Sequence, residues 1–290
     1  MSYVGEEGYL DLINDIDNLG KEHNDRTGTG TRRMIGQTMR FNLENNSIPV
    51  FTTKKVFWKG VVIELMWFLS GQTNVNFLKR HKVNIWNEWA NEDGSLGPVY
   101  GEQMRHQTSV KADGHPLTRH TIDPLVNFIK QIQDNPDSRR HIISLWNAPL
   151  IPEMKLPPCH GVCIQASVMD GGLYLEMYQR SADMFLGVPF NVASYSLFTH
   201  MIAKECGLVA KEFIWHGHDC HIYNNHKEAI TTQLRREPMN QPWVKLNYDC
   251  SLLDILEAVE IENPNTEMIM DNFELVGYDP MDTIKAEVSI

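Results

Sequence analysis

Residues 161–179 read GVCIQASVMDGGLYLEMYQ: two β-rich runs, 161–168 and 172–179, joined by Met169, Asp170, Gly171 and Gly172. Asp-Gly between β-rich runs is a tight-turn signal, because both central residues of such a turn need a positive φ that Asp tolerates and Gly adopts freely. The segment is therefore expected to be a β-hairpin. Working outward, residues 192–207 place apolar side chains at helical spacing after a turn at Asn191, and the same spacing marks 7–20, 56–70, 74–81 and 121–134. Strands and helices on these terms predict an α+β fold. Pro and Gly are scattered and do not collect into a linker, and no repeat appears, so residues 1–290 are expected to form a single catalytic domain. Residues 108–120 are expected to be an exposed loop, and 248–265 an amphipathic helix or an insertion.

The chain is 42% hydrophobic and 22% charged, an ordinary globular balance that can bury a sizeable core. The apolar run from Gly60 to Leu69 is interrupted by Glu64 and is too short to span a bilayer, so no membrane association is expected. A formal charge of −11 disfavours binding to nucleic acid, which draws its affinity from neutralised phosphates. The cysteines at 159, 163, 206, 220 and 250 form no CxxC pair and are odd in number, so reduced thiols and a cytoplasmic location are expected. His216, His218 and His221 lack the cysteine pair that a zinc site of this kind would need, and no metal is expected.

The chemistry concentrates beside the hairpin. Cys159 follows Pro157 and Pro158, which restrict the backbone and present the thiol rigidly, with His160 adjacent. Cys163, Cys206 and Cys250 read as ordinary packing thiols. Arg26, Arg139, Arg140 and Arg180 are candidate phosphate ligands, since a guanidinium fork matches a phosphate, and Ser181 adds a hydroxyl. Tandem arginines alone are more often a solvated pair. Asn191 lies in an apolar stretch where an amide must be satisfied; it either caps a helix or reads a base edge. Glu64, set among core-like residues, is expensive there unless it has a polar role. A thiolate adding at C6 of a uracil makes C5 a carbon nucleophile, so thiol, cation and amide together imply transfer to C5 of a pyrimidine nucleotide.

The strings DRTGTGT (25–31), FTTKKVFWKG (51–60), ELMWF (64–68), GPVYG (97–101), DSRR (137–140) and HIY (221–223), with the Cys159 segment, resemble the thymidylate synthase family, which also contains phage-type deoxyuridylate hydroxymethylases. The resemblance runs nearly end to end. It implies a mixed β-sheet with packed helices, in a homodimer formed sheet to sheet. It implies dUMP and 5,10-methylenetetrahydrofolate as substrate and cosubstrate. Cys159 then adds to C6, Glu64 organises water for proton transfers, Tyr100 serves C5 proton removal and His160 has a secondary role. Asn191 selects uracil, an aspartate at this position being the pattern of cytosine-using relatives. His221 and Tyr223 hold the sugar hydroxyl, and Arg26, Arg180 and Ser181 the phosphate, while Arg139 and Arg140 reach it from the partner subunit. Trp86, Asp183 and Gly187 meet the folate, Lys54 its glutamyl tail, and the C-terminal segment ending at Ile290 closes over both ligands.

Ala182 stands where the usual synthase pattern has a cysteine, without consequence; four further positions depart from that pattern, Asn87 and Met104 near the expected folate region and His216 and His218 before HIY. They shift the expectation toward hydration of the C5 methylene, giving 5-hydroxymethyl-dUMP, with His218 or the Glu64 water network presenting the water. The alternative is thymidylate synthase, in which hydride from the folate reduces the methylene to a methyl. A more distant alternative is a non-catalytic nucleotide- or RNA-binding relative.

Overall fold

The computed structural model describes residues 3–25, 27–111, 118–262 and 264–289. The central sheet contains strands β1 (Tyr3–Val4), β2 (Lys21–His23), β3 (Thr31–Asn42), β6 (Ile142–Ser144), β7 (Cys163–Met169), β8 (Gly172–Asp183) and β9 (Val209–Tyr223). The pairs β4 (Gln107–Lys111) with β5 (Thr118–Ile122), and β10 (Trp243–Leu246) with β11 (Phe273–Val276), form separate two-stranded sheets. The helices are α1 (Gly5–Leu19), α2 (Trp58–Leu69), α3 (Asn76–Arg80), α4 (Tyr100–Arg105), α5 (Pro124–Asp134), α6 (Gly187–Glu205), α7 (Lys227–Gln233), α8 (Leu252–Ile261) and α9 (Thr266–Met270).

The expected hairpin is β7–β8, with Asp170 and Gly171 at φ +51° and +72° in the turn and Met169 paired with Gly172. The sheet runs β1-β3-β9-β8-β7-β6, with β2 on the β3 edge. It is mixed: β1 is parallel to β3 and β8 to β9, the other pairs being antiparallel. The parallel β8–β9 pair requires a crossover, which α6 supplies.

That crossover helix is the centre of the core. From Val188 to Ala203 almost every side chain of α6 is buried, as are all of those from Gly60 to Leu69 in α2. A helix apolar around its whole circumference must be covered on all sides. The sheet, α2 and their neighbours cover α6, and α1 closes the β3 end. The opposite face of the sheet, carrying Thr38, Ile142, Glu176, Tyr178 and His216, is left uncovered by the chain; Ile142 and Tyr178 are 46% and 38% exposed.

Three expectations are refined. The stretch 108–120 is not simply a loop, because β4 and β5 pair antiparallel; residues 112–117 lie outside the described residues. Within 248–265 the helix reading holds: α8 is amphipathic and begins with a capping box between Ser251 and Asp254. The long helix starts at Gly187, ahead of Asn191, with Pro189 tolerated in its first turn.

Candidate active site

The carboxyl ends of β8 and β9 and the amino end of α6 converge on a cavity of about 980 Å³. Strand alternation sends Gln179, Ser181 and Asp183 from β8, and Asp219, His221 and Tyr223 from β9, into it. Cys159 enters from the loop before β7, Glu64 from α2, Trp86 and Trp89 from the segment after α3, and Val288 and Ser289 from the C-terminal segment. Gly187 and Asn191 border it from α6, and Arg180 completes the wall near Cys159.

Cys159 is held by its surroundings. Its backbone N–H donates to the Tyr100 hydroxyl at 2.8 Å, and that hydroxyl is 3.4 Å from Sγ. Arg180 fixes the diproline approach by donating from Nε to the Pro158 carbonyl and from Nη2 to the Pro157 carbonyl. The chain can turn after His160 because Gly161 has φ +63° and no side chain; a Cβ there would lie 2.1 Å from the Tyr195 hydroxyl. Part of Cys159 is open to the cavity while protein atoms crowd the rest. The Tyr100 hydroxyl and the Arg180 guanidinium favour a thiolate here, but burial outweighs both and pushes the thiol up.

The other ionisable groups sort by the same competition. Burial lifts Glu64 to about 7, while the Trp86 indole N–H, donating to its Oε1 at 2.6 Å, pulls the other way. A carboxyl poised there can both give and take a proton near neutrality. Burial drops His160 to about 3, so it is a neutral imidazole facing the Tyr195 hydroxyl at 3.0 Å. Tyr100 is raised well above its usual value by burial and remains a phenol. Burial lowers His221, but Asp219 and Asp183 together outweigh that and raise it.

Asn191 is oriented by a relay absent from the sequence reading. The Trp215 indole, a donor only, gives its N–H to Gln179 Oε1 at 2.8 Å; Gln179 Nε2 then donates to Asn191 Oδ1 at 3.1 Å and to the Ser181 carbonyl. The Asn191 amide nitrogen is thereby turned toward whatever occupies the cavity. Alternation along β8 carried this signal, since Gln179 shares the inward parity of Ser181 and Asp183. Trp89 and the Arg33–Asp219 ion pair at 2.7 Å also border the cavity and had not been singled out.

Some expected residues stand elsewhere. Lys54 is not in the cavity wall: it is buried, lowered to about 8 by that burial, donates to the Phe185 carbonyl and sits 3.7 Å from the centre of the Phe185 ring. Arg139 and Arg140 are exposed on the loop before β6, away from this chain's cavity. Arg26 and Ile290 lie outside the described residues. The departures thought to alter the folate side do not reach it. Asn87 is exposed and bonds Asn84, Met104 is buried within α4, and His216 and His218 occupy the opposite face of the sheet, so His218 cannot present water in this cavity. Among the described residues no group of three or more His, Cys, Asp or Glu is arranged to hold a metal ion, and no helix is long and apolar enough to cross a membrane.

A family model described as thymidylate synthase matches residues 7–290. A protein named thymidylate synthase from Corynebacterium aurimucosum is 47% identical over 290 residues, covering all of both chains. Another of that name from Coxiella burnetii is 46% identical over 282 residues, covering 97% of this chain and 99% of its own. With the thiol, carboxyl and amide converging as described, this chain belongs to the thymidylate synthase family.

Proposed function

We propose that this chain is a thymidylate synthase, converting dUMP and 5,10-methylenetetrahydrofolate to dTMP and dihydrofolate. The observation that carries the reading is that Cys159, Glu64 and the Gln179-oriented Asn191 all open into one cavity. Its volume of about 980 Å³ suits a nucleotide and a stacked bicyclic ring together. The amide nitrogen of Asn191 donates to O4 of uracil, a position at which cytosine offers a competing donor. Cys159 Sγ adds to C6, making C5 nucleophilic; C5 takes the methylene, loses its proton, and the folate is eliminated to leave an exocyclic methylene. Hydride from the folate then reduces that methylene as the Cys159 bond to C6 breaks. Glu64 relays protons at O4, Tyr100 holds the thiol loop, and Asp183, Trp86 and Trp89 form the folate wall.

Reduction is favoured over the hydroxymethylation first expected. The relatives carry the name thymidylate synthase, and the residues that motivated hydration lie off the cavity. Trp86, bonded to Glu64, and Trp89 line the Glu64 side of the cavity with aromatic surface, a wall suited to the water exclusion that hydride transfer requires. We further propose a cytoplasmic homodimer formed through the open sheet face, with Arg139 and Arg140 supplied to the partner's phosphate site and Lys54 acting at the folate only if its side chain swings outward. Mass spectrometry of the product decides the reaction: dTMP with stoichiometric dihydrofolate supports it, and 5-hydroxymethyl-dUMP with tetrahydrofolate overturns it.

A further inference from the structure

His226 is fully buried and touches two parts of the site at once. Its Nε2 lies 2.8 Å from the carbonyl of Glu287, which can only accept, so the ring proton sits on Nε2. Its Nδ1, buried without a hydrogen bond, is 3.8 Å from Asp183 Oδ1. That same carboxylate oxygen accepts the N–H groups of Phe185 and Leu186, closing the turn that leads into α6. The Phe185 ring lies 5.4 Å from the imidazole and carries Lys54 on its face. Turn, imidazole and C-terminal segment form one packed unit.

The C-terminal segment has few other ties. It is anchored upstream by Met281 N–H to the Thr52 carbonyl and by Arg236 to the Asp282 carbonyl. Beyond Asp282, among the described residues, the hydrogen bonds are those of Glu287 with His226 and Asn225 (the latter at 3.4 Å) and of Ser289 with Asn225 at 3.5 Å. The His226 bond is the shortest of the three. Ile284 and Ala286 add partial apolar packing, and Val288 and Ser289 border the cavity.

We propose that His226 is the latch that seats residues 284–289 over the cavity and ties that seating to the Asp183 turn, which makes it a positioning residue for the folate half of the site. This rests on the reading of the cavity given above. A ligand that moves Asp183 or Phe185 displaces the imidazole, and the imidazole holds the segment that closes on that ligand. The coupling runs through contacts already packed against one another.

Lys285 is exposed within the seated segment, but trypsin must draw the residues on both sides of it into its own cleft, so release of residues 286–290 follows the population in which the segment lifts away. His226→Phe keeps the ring and loses the donor; His226→Gln places an amide nitrogen near the Nε2 position. Release of the terminal pentapeptide, read by intact mass, is expected about fivefold faster for the Phe variant and near the parent rate for Gln, the size expected for one net hydrogen bond. Should the Phe variant fail to fold, His226→Asn, too short to reach Glu287, replaces it with the same expectation. In turnover the donor-less variant raises KM for the folate and leaves dUMP affinity within about twofold, and in a chain ending at Asp282 the substitution changes nothing further. Equal release rates, no rescue by Gln, or additive effects in the shortened chain overturn the latch. The release assay needs no substrate, so failure to form dTMP refutes the functional reading and leaves the latch separately tested.

Discussion

Replacing Glu64 with glutamine separates what this carboxyl does for chemistry from what it costs the fold. Glu64 is 4% exposed, and burial raises it from its ordinary 4.5 to about 7. Its folded form therefore holds a proton that the unfolded chain has already released between those two values. Stability contributed by a raised group is present below the unfolded pKa and lost as pH climbs through the folded one. At about 1.4 kcal/mol per pH unit, a window of roughly 2.5 units predicts that the protein loses about 3 kcal/mol from this site between pH 4.5 and 7. Glutamine cannot ionise and still offers an oxygen to the Trp86 indole. Urea unfolding at fixed protein concentration, at pH 5 and pH 8, is expected to show Glu64→Gln gaining about 2 to 3 kcal/mol on the parent over that span. Taking the difference between the two chains cancels other groups, notably His160 and His200, which burial depresses to about 3 and about 4 and which pull stability the opposite way on acidification. Turnover of the variant is expected to fall at least about 100-fold, the usual worth of a positioned proton carrier. Parallel stability curves for the two chains would refute the buried, late-titrating carboxyl, whatever the activity shows.

Cys159→Ser is expected to abolish turnover while dUMP still binds within about threefold in calorimetry, because a serine hydroxyl is not ionised near neutrality but fills the same space. Gln179→Leu removes the donor that turns Asn191; selectivity for dUMP over dCMP, measured as the ratio of kcat/KM values, is expected to fall about 10- to 100-fold. An unchanged ratio would show that Asn191 orients itself. Arg139→Ala and Cys159→Ser chains, each inactive alone, are expected to recover up to about a quarter of parent activity when mixed and allowed to exchange, since one intact composite site forms per mixed dimer. A monomer by sedimentation, or no recovery after confirmed exchange, removes the shared-site arrangement.

Much of the frame was legible because its signals are local. The Asp170-Gly171 turn declared the β7–β8 hairpin, and the helical spacing of apolar residues in 56–70 declared the helix α2. The β4–β5 pairing was missed because Gln107, Thr108, Thr121 and Ile122 show no apolar alternation; the pair stands away from the main sheet and has no core face to record. The start of α6 was placed late because Pro189 reads as a break, although proline in a first turn is harmless. His216 and His218 were wrongly drawn toward the chemistry, yet strand parity already separated them from Asp219, His221 and Tyr223. Met104 could not be placed from sequence at all, since a short helix does not say which side it turns to a cavity. Strand parity could place Gln179 on the cavity side, but not the relay it forms, which depends on Trp215, 36 residues away in the chain.

Asn191 rides on the first turns of a helix buried along most of its length, whereas Cys159 sits on a loop and Val288 and Ser289 on a segment held by few bonds. Local openings draw on regions with little buried surface, and a helix enclosed along its length opens only when the whole domain does. Moderate heat or denaturant should therefore slow this protein before making it promiscuous. Partly damaged molecules would stop joining carbon to the pyrimidine while still refusing the wrong base, so loss of integrity costs the cell throughput and spares the fidelity of its nucleotide pool.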